Sequence, residues 1–374
     1  MSETRPHLYI NSKGYLVTRH SYSGGDTFNY CARKYYLERV QGWSEKQQRA
    51  ASQFGIALEH AVTFWHQHGM DTAAAVAEFV RLWAEHKDKE YIYGKPEKDW
   101  ASLNLTGQEL VQLYAVRYPT FPYIVNDPKH SFQVETTFEV FPGTKLAGID
   151  FTSYIDLVAQ IKDSDKPLIV DMKTSGKDLP EFMVLDPQLR SYAWVKSWSN
   201  VAFLWFRKMG RSVSKGDTVT FLDAFGTFQP GTDAEVLSTD DFGVWVTDKS
   251  SIVDTFDKFK GVSKAVEAER IKFLEEKATH VSERILTKQR VQFKMATITQ
   301  ESADDIGRSI KQDIVNIAAA TEREFFPMQS GVRFPNEKCT FCAMRGICAD
   351  RPELRDELLI RKQMDEFAFD NESE

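Results

Sequence analysis

The segment Pro-Leu-Ile-Val-Asp-Met-Lys-Thr, residues 167–174, decides the fold that we predict for this chain. Its apolar first half is typical of a strand that is buried on both faces of a sheet. Side chains two residues apart on a strand lie on the same face, so Asp171 and Lys173 direct a carboxylate and an ammonium towards one spot. The segment therefore predicts a central strand that carries a pair of opposite charges.

The sequence on either side of this strand predicts an α/β sheet. Residues 133–140 alternate apolar and polar side chains, and residues 153–161 have the pattern of a second strand. Asp186 and Pro187 are the residue types of a helix N-cap and first turn, and residues 201–206 are apolar enough for another buried strand. Strand, helix and strand then form a crossover between parallel strands.

Hydrophobic periodicity predicts the other elements. Residues 21–40 are predicted to be a polar lead-in to a helix that carries Cys31 on the same side as several aromatic residues. Further predicted helices cover 51–68, 72–89, the surroundings of 107–114, 250–277 and 300–323, and the strand-like pieces cover 217–228 and 243–247.

A second carboxylate is expected beside Asp171. Asp156 lies in the preceding predicted strand, with Tyr154 and Val158 on its face, and two carboxylates suit a hard cation such as Mg²⁺ or Mn²⁺. Lys173 can stabilise charge on a phosphate or assist an attacking water. An Asp-x-Lys tripeptide by itself is also common at the surface end of a strand, so the neighbouring motifs carry the argument.

The four cysteines of the chain form two elements that are far apart in sequence: Cys31 alone, and Cys339, Cys342 and Cys348 with C-x2-C-x5-C spacing. Disulfides are uncommon in reducing compartments, so these thiols are better explained as ligands of a soft metal centre. Four thiolates match the ligand count of a 4Fe-4S cluster and of a tetrahedral zinc ion. Either centre would join the two ends of the fold.

These motifs together resemble the RecB-like branch of the PD-(D/E)XK nuclease superfamily, especially iron–sulphur members such as AddB-type and CRISPR-associated exonucleases. The residues that carry the resemblance are Tyr154-Ile155-Asp156-Leu157-Val158, Ile169-Val170-Asp171-Met172-Lys173-Thr174, Gln188-Leu189-Arg190-Ser191-Tyr192, and the four cysteines. They cover most of residues 21–207 and again about 325–348.

The resemblance implies a restriction-endonuclease-like core, with a central mixed sheet flanked by helices and with terminal segments joined by a 4Fe-4S cluster. It implies that Gln188 and Tyr192 help to place DNA and act with the Asp and Lys residues in catalysis. The implied regions are a helical part at 1–132, a core at 133–208, an elaboration at 209–325, a cysteine region at 326–350 and an acidic tail at 351–374.

One position departs from the pattern of the family, which has Gly-x3-His on an early helix. Here Gly55 is followed at that spacing by Glu59, and His60 comes one residue later. A carboxylate can replace imidazole as a ligand of Mg²⁺ or Mn²⁺, so we favour Glu59 as the metal ligand and keep His60 as the alternative.

Two further acidic residues and several aromatic residues compete for roles in the site. Asp150 stands second to Asp156 as the motif carboxylate, and Glu135 is interpreted as an exposed strand residue. Aromatic side chains can stack on single-stranded bases, although core packing is the simpler interpretation; the candidates are Tyr30, Tyr35, Tyr36 and Trp194.

Composition limits the possible settings of the protein. The net charge of −7 argues against a general nucleic-acid coat protein, but nine acidic and four basic residues lie in 350–374 alone. No secretory pattern and no apolar run of about 18 residues occurs, so we expect a cytoplasmic protein, in the host cytoplasm if phage-encoded, without membrane contact. No ATP-binding Gly-x4-Gly-Lys motif occurs, so any helicase or recombination function would come from a partner.

The function expected from these features is that of a metal-dependent DNA exonuclease, a hydrolase of phosphodiester bonds that acts on single strands or DNA ends. The alternatives are a catalytically silent DNA-binding or scaffold module of a recombination complex, a CRISPR adaptation nuclease, and a zinc-binding protein of another kind.

Overall fold

The structure is a computed structural model that describes residues 8–10, 16–93, 99–127, 131–136, 148–177, 179–208, 216, 218–221, 228–240, 243–248, 279–281, 286–288, 290–329 and 338–361.

The strands of these residues, in chain order, are β1 Leu8–Ile10, β2 Leu16–His20, β3 Trp43–Glu45, β4 Gln48–Arg49, β5 Tyr91–Ile92, β6 Tyr123–Asp127, β7 Ser131–Thr136, β8 Gly148–Tyr154, β9 Leu157–Ile161, β10 Pro167–Ser175, β11 Asn200–Arg207, β12 Thr218–Phe221, β13 Asp233–Asp240, β14 Gly243–Asp248, β15 Thr279–Val281, β16 Leu286–Lys288, β17 Val291–Thr297 and β18 Leu359–Arg361. The α-helices are α1 Tyr22–Tyr30, α2 Ala32–Tyr35, α3 Ala50–Gln67, α4 Thr72–Ala84, α5 Trp100–Arg117, α6 Pro187–Lys196, α7 Gln300–Glu322, α8 Arg345–Cys348 and α9 Pro352–Leu358.

The central sheet has five strands in the order β17-β11-β10-β9-β6. β10 is parallel to β11 and antiparallel to β9, and β17 is antiparallel to β11, so the sheet is mixed as expected. The core was expected to consist of residues 133–208. The sheet also contains β6, which precedes this region, and β17, which follows it. β10 lies in the middle, which explains the apolar character of its first half.

Helices cover both faces of the central sheet. Leu168 and Val170 of β10 pack into the larger apolar cluster, which α3, α4 and α5 complete. Ile169 points to the opposite face, where it packs with Leu189 and Tyr192 of α6 and with Ala303 of α7. The alternation of strand side chains thus places α6 on the face of β10 to which Asp171 and Lys173 also belong.

Two further sheets lie beside this core. A four-stranded sheet has the order β1-β2-β8-β7, and an antiparallel five-stranded sheet has the order β15-β14-β13-β12-β16. Arg117 of α5 donates to Asp233 at 2.7 Å and to Thr220 at 3.1 Å, which ties the antiparallel sheet to the helical layer. The predicted helix at 250–277 lies outside the described residues.

Several predicted elements are confirmed with small changes in their bounds: α3, α4, α6, α7, β10 and β11. The helix predicted around 107–114 is longer, because Asp99 forms a capping box with Ser102 and starts α5 at Trp100.

The prediction of a helix that carries Cys31 is wrong, because the chain is extended at Cys31 (φ −166°, ψ 112°), between α1 and α2. The amide of Cys31 closes α1 by donating to the carbonyl of Thr27, and the carbonyl of Cys31 accepts from Tyr35 in α2. A π-helical turn, Tyr36–Val40, follows.

The single strand predicted at 153–161 is also wrong. The chain leaves the four-stranded sheet after Tyr154 and enters the central sheet at Leu157, so Ile155 and Asp156 form a two-residue break. Asp156 therefore shares no strand face with Tyr154 and Val158. Ile155 is fully buried in the apolar cluster on the α6 face, and this burial fixes where the chain passes between the sheets.

An early segment of the chain packs against the last described segment. β3 pairs antiparallel with β18, and Leu37, Met344 and Leu359 form a small buried cluster next to this pair. The 351–374 region expected to be an acidic tail thus contains α9 and a strand as far as Arg361, and the rest of it lies outside the described residues. Among the described helices, none is both long and apolar enough to cross a bilayer.

Candidate active site

The site forms where β10 loses one of its two neighbouring strands. β9 accompanies β10 only as far as the pair Leu157 and Val170, whereas β11 continues beside β10 to Ser175. From Asp171 onwards, one edge of β10 is therefore free of the β9 ladder. Functional side chains can approach the strand through this opening.

Asp171 and Lys173 meet directly, as their positions on one strand face require. Lys173 Nζ donates a hydrogen bond to Asp171 Oδ1 at 2.9 Å and lies 2.7 Å from Oδ2. The contact with Oδ2 is an ion pair without hydrogen-bond geometry, and this buried oxygen has no hydrogen-bond donor among the described residues. Asp171 thus keeps a buried acceptor that a cation can use.

Asp156 reaches the same place from the break between β8 and β9. Its Oδ2 accepts a hydrogen bond of 2.6 Å from the amide of Met172, the residue between Asp171 and Lys173. The carboxylate takes the place of a ladder partner at the point where β9 has not yet begun. This contact is the reason why Asp156 lies beside Asp171 although it is not part of a strand.

Glu59 approaches from α3, whose residue Gly55 lies against β10. A Cβ atom at Gly55 would lie 3.3 Å from Thr174 Oγ1, so the absence of a side chain allows the close approach of helix and strand. Glu59 lies one turn further along the same helix face and interacts electrostatically with Asp171 and Lys173. His60 is exposed and interacts with Glu78 of α4.

Gln188 and Tyr192 complete the site on α6. The side-chain oxygen of Gln188 accepts a hydrogen bond of 3.0 Å from Lys173 Nζ, and its Nε2 donates to the Tyr192 hydroxyl at 2.6 Å. Asp186, read from the sequence only as a helix cap, accepts from the amide of Leu189 and also acts electrostatically on Asp171 and Lys173. Its position two residues before Gln188 was the signal that could have identified it.

The electrostatics of the site are those of a buried acidic pocket. Burial, reinforced by Asp156 and opposed by Lys173, raises the pKa of Asp171 to about 7. Burial also raises the pKa values of Glu59 and Asp156, and each has another carboxylate of the pocket as its second cause. Burial lowers the pKa of Lys173, but the neighbouring carboxylates outweigh it and the net change is upward.

This charge balance fits a divalent cation. Three ionised carboxylates beside one ammonium leave two negative charges in a pocket where Asp171 is fully buried. A Mg²⁺ or Mn²⁺ ion would compensate them with oxygen ligands of the type that both ions prefer. In the described residues, however, no group of three or more His, Cys, Asp or Glu side chains already has the arrangement of a metal site.

The two competing acidic residues lie in the four-stranded sheet. Asp150 of β8 is directly opposite Glu135 of β7 in the antiparallel register. Both therefore belong to a different sheet from Asp171.

Most of the aromatic candidates for base stacking pack inside the protein. Tyr35 is buried, Tyr36 stacks on Phe326 with ring centroids 4.8 Å apart, and Trp194 packs against Gly307 of α7. Tyr30 is partly exposed, and Lys338 Nζ lies 4.6 Å from the centroid of its ring.

The four cysteines are brought into one region at the contact between the terminal segments. None of the four forms a disulfide, and Cys348 interacts electrostatically with the other three. Burial raises the pKa values of Cys342 and Cys348, with neighbouring cysteines adding to the effect, while Lys34 and Arg33 oppose it. Among the described residues, however, no three of these thiols already have the arrangement of a metal site.

Comparison with known proteins identifies the family. The PD-(D/E)XK nuclease superfamily model matches residues 19–349. The chain belongs to this superfamily. Its members are nucleases, hydrolases that generally use Mg²⁺ or Mn²⁺, and a superfamily nuclease would act on DNA. The mixed sheet with helices on both faces fits a PD-(D/E)XK core.

The other comparisons add little to this PD-(D/E)XK assignment. No curated protein sequence matches the chain. A solved structure titled "Crystal structure of SSO0001" is similar at 12% identity, over 79% of this chain and 84% of that chain, with a TM-score of 0.25. A TM-score of this size supports no inference about fold or function.

Proposed function

We propose that this PD-(D/E)XK protein is a metal-dependent DNA exonuclease that acts on single strands or DNA ends. The observation that carries the proposal is the convergence of Glu59, Asp156 and Asp171 on Lys173, at the point where β10 loses its β9 neighbour. The preference for strand ends rests on the motif resemblance to RecB-like exonucleases.

The residues of the pocket have different chemical roles. Glu59, Asp156 and Asp171 would hold Mg²⁺ or Mn²⁺, which when bound activates water and neutralises charge on the phosphate. Lys173 holds a positive charge at the same spot and can stabilise the charge that develops on the phosphate oxygens. Gln188 fixes the position of the Lys173 ammonium, and Tyr192 in turn fixes Gln188.

A silent scaffold role is less consistent with these contacts. A protein without catalysis gains nothing from Asp171, Asp156 and Glu59 in one buried pocket, because the repulsion between them lowers stability. Natural proteins accept such a cost mainly at functional sites.

We also propose that Cys31, Cys339, Cys342 and Cys348 hold a 4Fe-4S cluster that fastens the terminal segments. The convergence of the thiols and the nearby Lys34 and Arg33 support this donor set. Zinc is the alternative occupant, and colour separates the two, since an iron–sulphur protein purified without oxygen is brown whereas a zinc protein is colourless.

The test of the nuclease proposal is a degradation assay on DNA strands labelled at either end, with Mg²⁺, Mn²⁺ or a chelator. Asp171→Ala should abolish metal-dependent cutting and leave the brown colour unchanged. The matched control is Asp165→Ala, at an exposed aspartate in the hairpin at the other end of β10, which should cut like the native protein. Native-like cutting by Asp171→Ala would refute the assignment.

A further inference from the structure

A short turn between the two catalytic elements exposes large apolar side chains. The segment 182–185, which links β10 to α6, presents Phe182 (67% exposed), Val184 (39%) and Leu185 (65%) to solvent. We call these three side chains the apolar platform. Single exposed apolar residues are ordinary on protein surfaces, but three within four residues, in the connection between the two elements that carry the candidate active site, need an explanation.

Several contacts connect the platform to the rest of the fold. Met183, between its members, is buried in the apolar cluster that contains Tyr192. The carbonyl of Phe182 accepts from the amide of Leu185 at 3.0 Å, which closes a 3-10 turn. Just before the turn, Lys294 of β17 donates to the carbonyl of Glu181 at 2.6 Å. These contacts keep the outer side chains at the surface, where they cannot collapse into the core.

The platform lies in the chain between the two elements that carry the candidate active site. It follows the strand that carries Asp171 and Lys173, and it ends at Asp186, which caps the helix that carries Gln188. The exposed Lys177 lies between β10 and the platform, and its carbonyl accepts a hydrogen bond of 2.9 Å from Trp205. An apolar surface and a cation thus both lie in the connection between the strand of Asp171 and the helix of Gln188.

A nucleobase fits this surface better than a protein partner does. An aromatic ring next to aliphatic side chains offers a stacking surface for any base, and a nearby lysine can meet the backbone phosphate. A stable protein interface buries about 1,200–2,000 Å² in total, which is far more than three side chains can provide.

We propose that Phe182 and Leu185 stack against a base of an unpaired DNA strand while a neighbouring phosphate lies at the carboxylate pocket. This inference rests on the proposed nuclease function and goes beyond it, because it assigns a base-binding position to the substrate strand. The platform would favour single-stranded DNA, since a base inside a duplex is already stacked on its neighbours.

The experiment moves a single abasic site along an end-labelled single-stranded oligonucleotide and measures the cutting rate at each placement. For the native protein, the rate should fall roughly tenfold at one or two placements next to the scissile phosphate and change little elsewhere. Phe182→Ala should cut the intact strand about as slowly as the native protein cuts that abasic strand, with no further loss at those placements. Phe182→Trp should restore the native profile.

The control variant is Phe341→Ala, which removes a phenylalanine of the cysteine region that is 75% exposed and should keep the native profile. If the cutting rate of the native protein does not depend on the position of the abasic site, or if Phe182→Ala shows the same dependence as the native protein, the base-stacking proposal is wrong. The nuclease proposal would not be affected by either result. Equal cutting by the native protein and Asp171→Ala would instead overturn the nuclease proposal.

Discussion

The carboxylate pocket and the cysteine region both gather side chains that repel one another when ionised, but the fold holds them in different ways. Asp156, Asp171 and Gln188 come from 33 consecutive residues around one strand end, and Asp171 is fully buried. Cys31 and Cys348 come from opposite ends of the described chain, and Cys348 is exposed. The sheet positions the first site, whereas contacts between distant segments position the second.

The two sites therefore depend on different parts of the fold. The pocket depends on the β10 backbone, since Met172 provides the amide that holds Asp156. The cysteine region depends on the β3–β18 pair and on the cluster of Leu37, Met344 and Leu359. We therefore expect changes in the pocket to affect activity and changes in the cysteine region to affect stability.

The largest expected effect is the loss of DNA cutting when Glu59 of α3 is substituted, compared with substitution of its neighbour His60. Glu59→Gln removes one of three carboxylates and should lower metal-dependent cutting by about 100-fold or more, a loss of the size seen when one charge-stabilising group is removed. His60→Gln should stay within about twofold of native, because a side chain exposed beside Glu78 contributes little to the pocket. The measurement is the cutting rate across a series of Mg²⁺ and Mn²⁺ concentrations.

A larger loss in His60→Gln than in Glu59→Gln would reverse the choice between the two residues. It would also remove α3 as the source of the third carboxylate.

The second prediction concerns the cysteine region. Cys348→Ser should remove the brown colour and lower the free energy of unfolding by roughly 1–2 kcal/mol, because the folded state loses a bound cluster. Cys348 is exposed, so the substitution itself disturbs little packing. Absorbance of anaerobically purified protein and thermal unfolding measure the two effects.

Thr340→Ser, at an exposed position between Cys339 and Cys342, is the matched control and should keep both colour and stability. A native protein that is colourless and contains zinc would contradict the cluster and favour the other metal.

The smallest expected effect is the pH dependence of the metal-free protein. Because the pKa of Asp171 is raised from 3.8 to about 7 on folding, its contribution to stability is complete below about pH 4 and is lost as the pH rises through 7. In the presence of a chelator, the free energy of unfolding of the native protein should therefore fall between pH 5 and 8 by on the order of 1–2 kcal/mol more than that of Asp171→Asn. Urea unfolding at the two pH values measures this difference.

Addition of Mg²⁺ at pH 8 should restore the stability of the native protein and leave Asp171→Asn nearly unchanged. If the free energies of unfolding of the native protein and Asp171→Asn change equally between the two pH values, ionisation of Asp171 does not destabilise the fold.

Local pattern was sufficient to predict the elements that carry the site. β10 follows from its apolar run, α6 from the Asp186-Pro187 start and α3 from its helical periodicity, since each of these signals is contained within one element. The meeting of Asp171 and Lys173 follows from strand alternation alone.

Three features were missed because their causes lie far away in sequence. The interruption of the helix at Cys31 coincides with packing against the C-terminal segment, where the amide of Arg33 donates to the carbonyl of Pro327. The transfer between sheets at Asp156 is fixed by Met172 and by the burial of Ile155. β17 enters the central sheet only because it pairs with β11.

Strand alternation and helix periodicity are local properties of the backbone, so the α/β class of the core and the pairing of Asp171 with Lys173 could be predicted from the sequence. Packing between elements was needed to place Asp156 in a break between two sheets and to leave Phe182 and Leu185 exposed. Packing also brings Glu59, which the sequence already favoured over His60, into electrostatic contact with Asp171. The physical reason is that burial, backbone hydrogen bonding and electrostatic proximity depend on packing between elements.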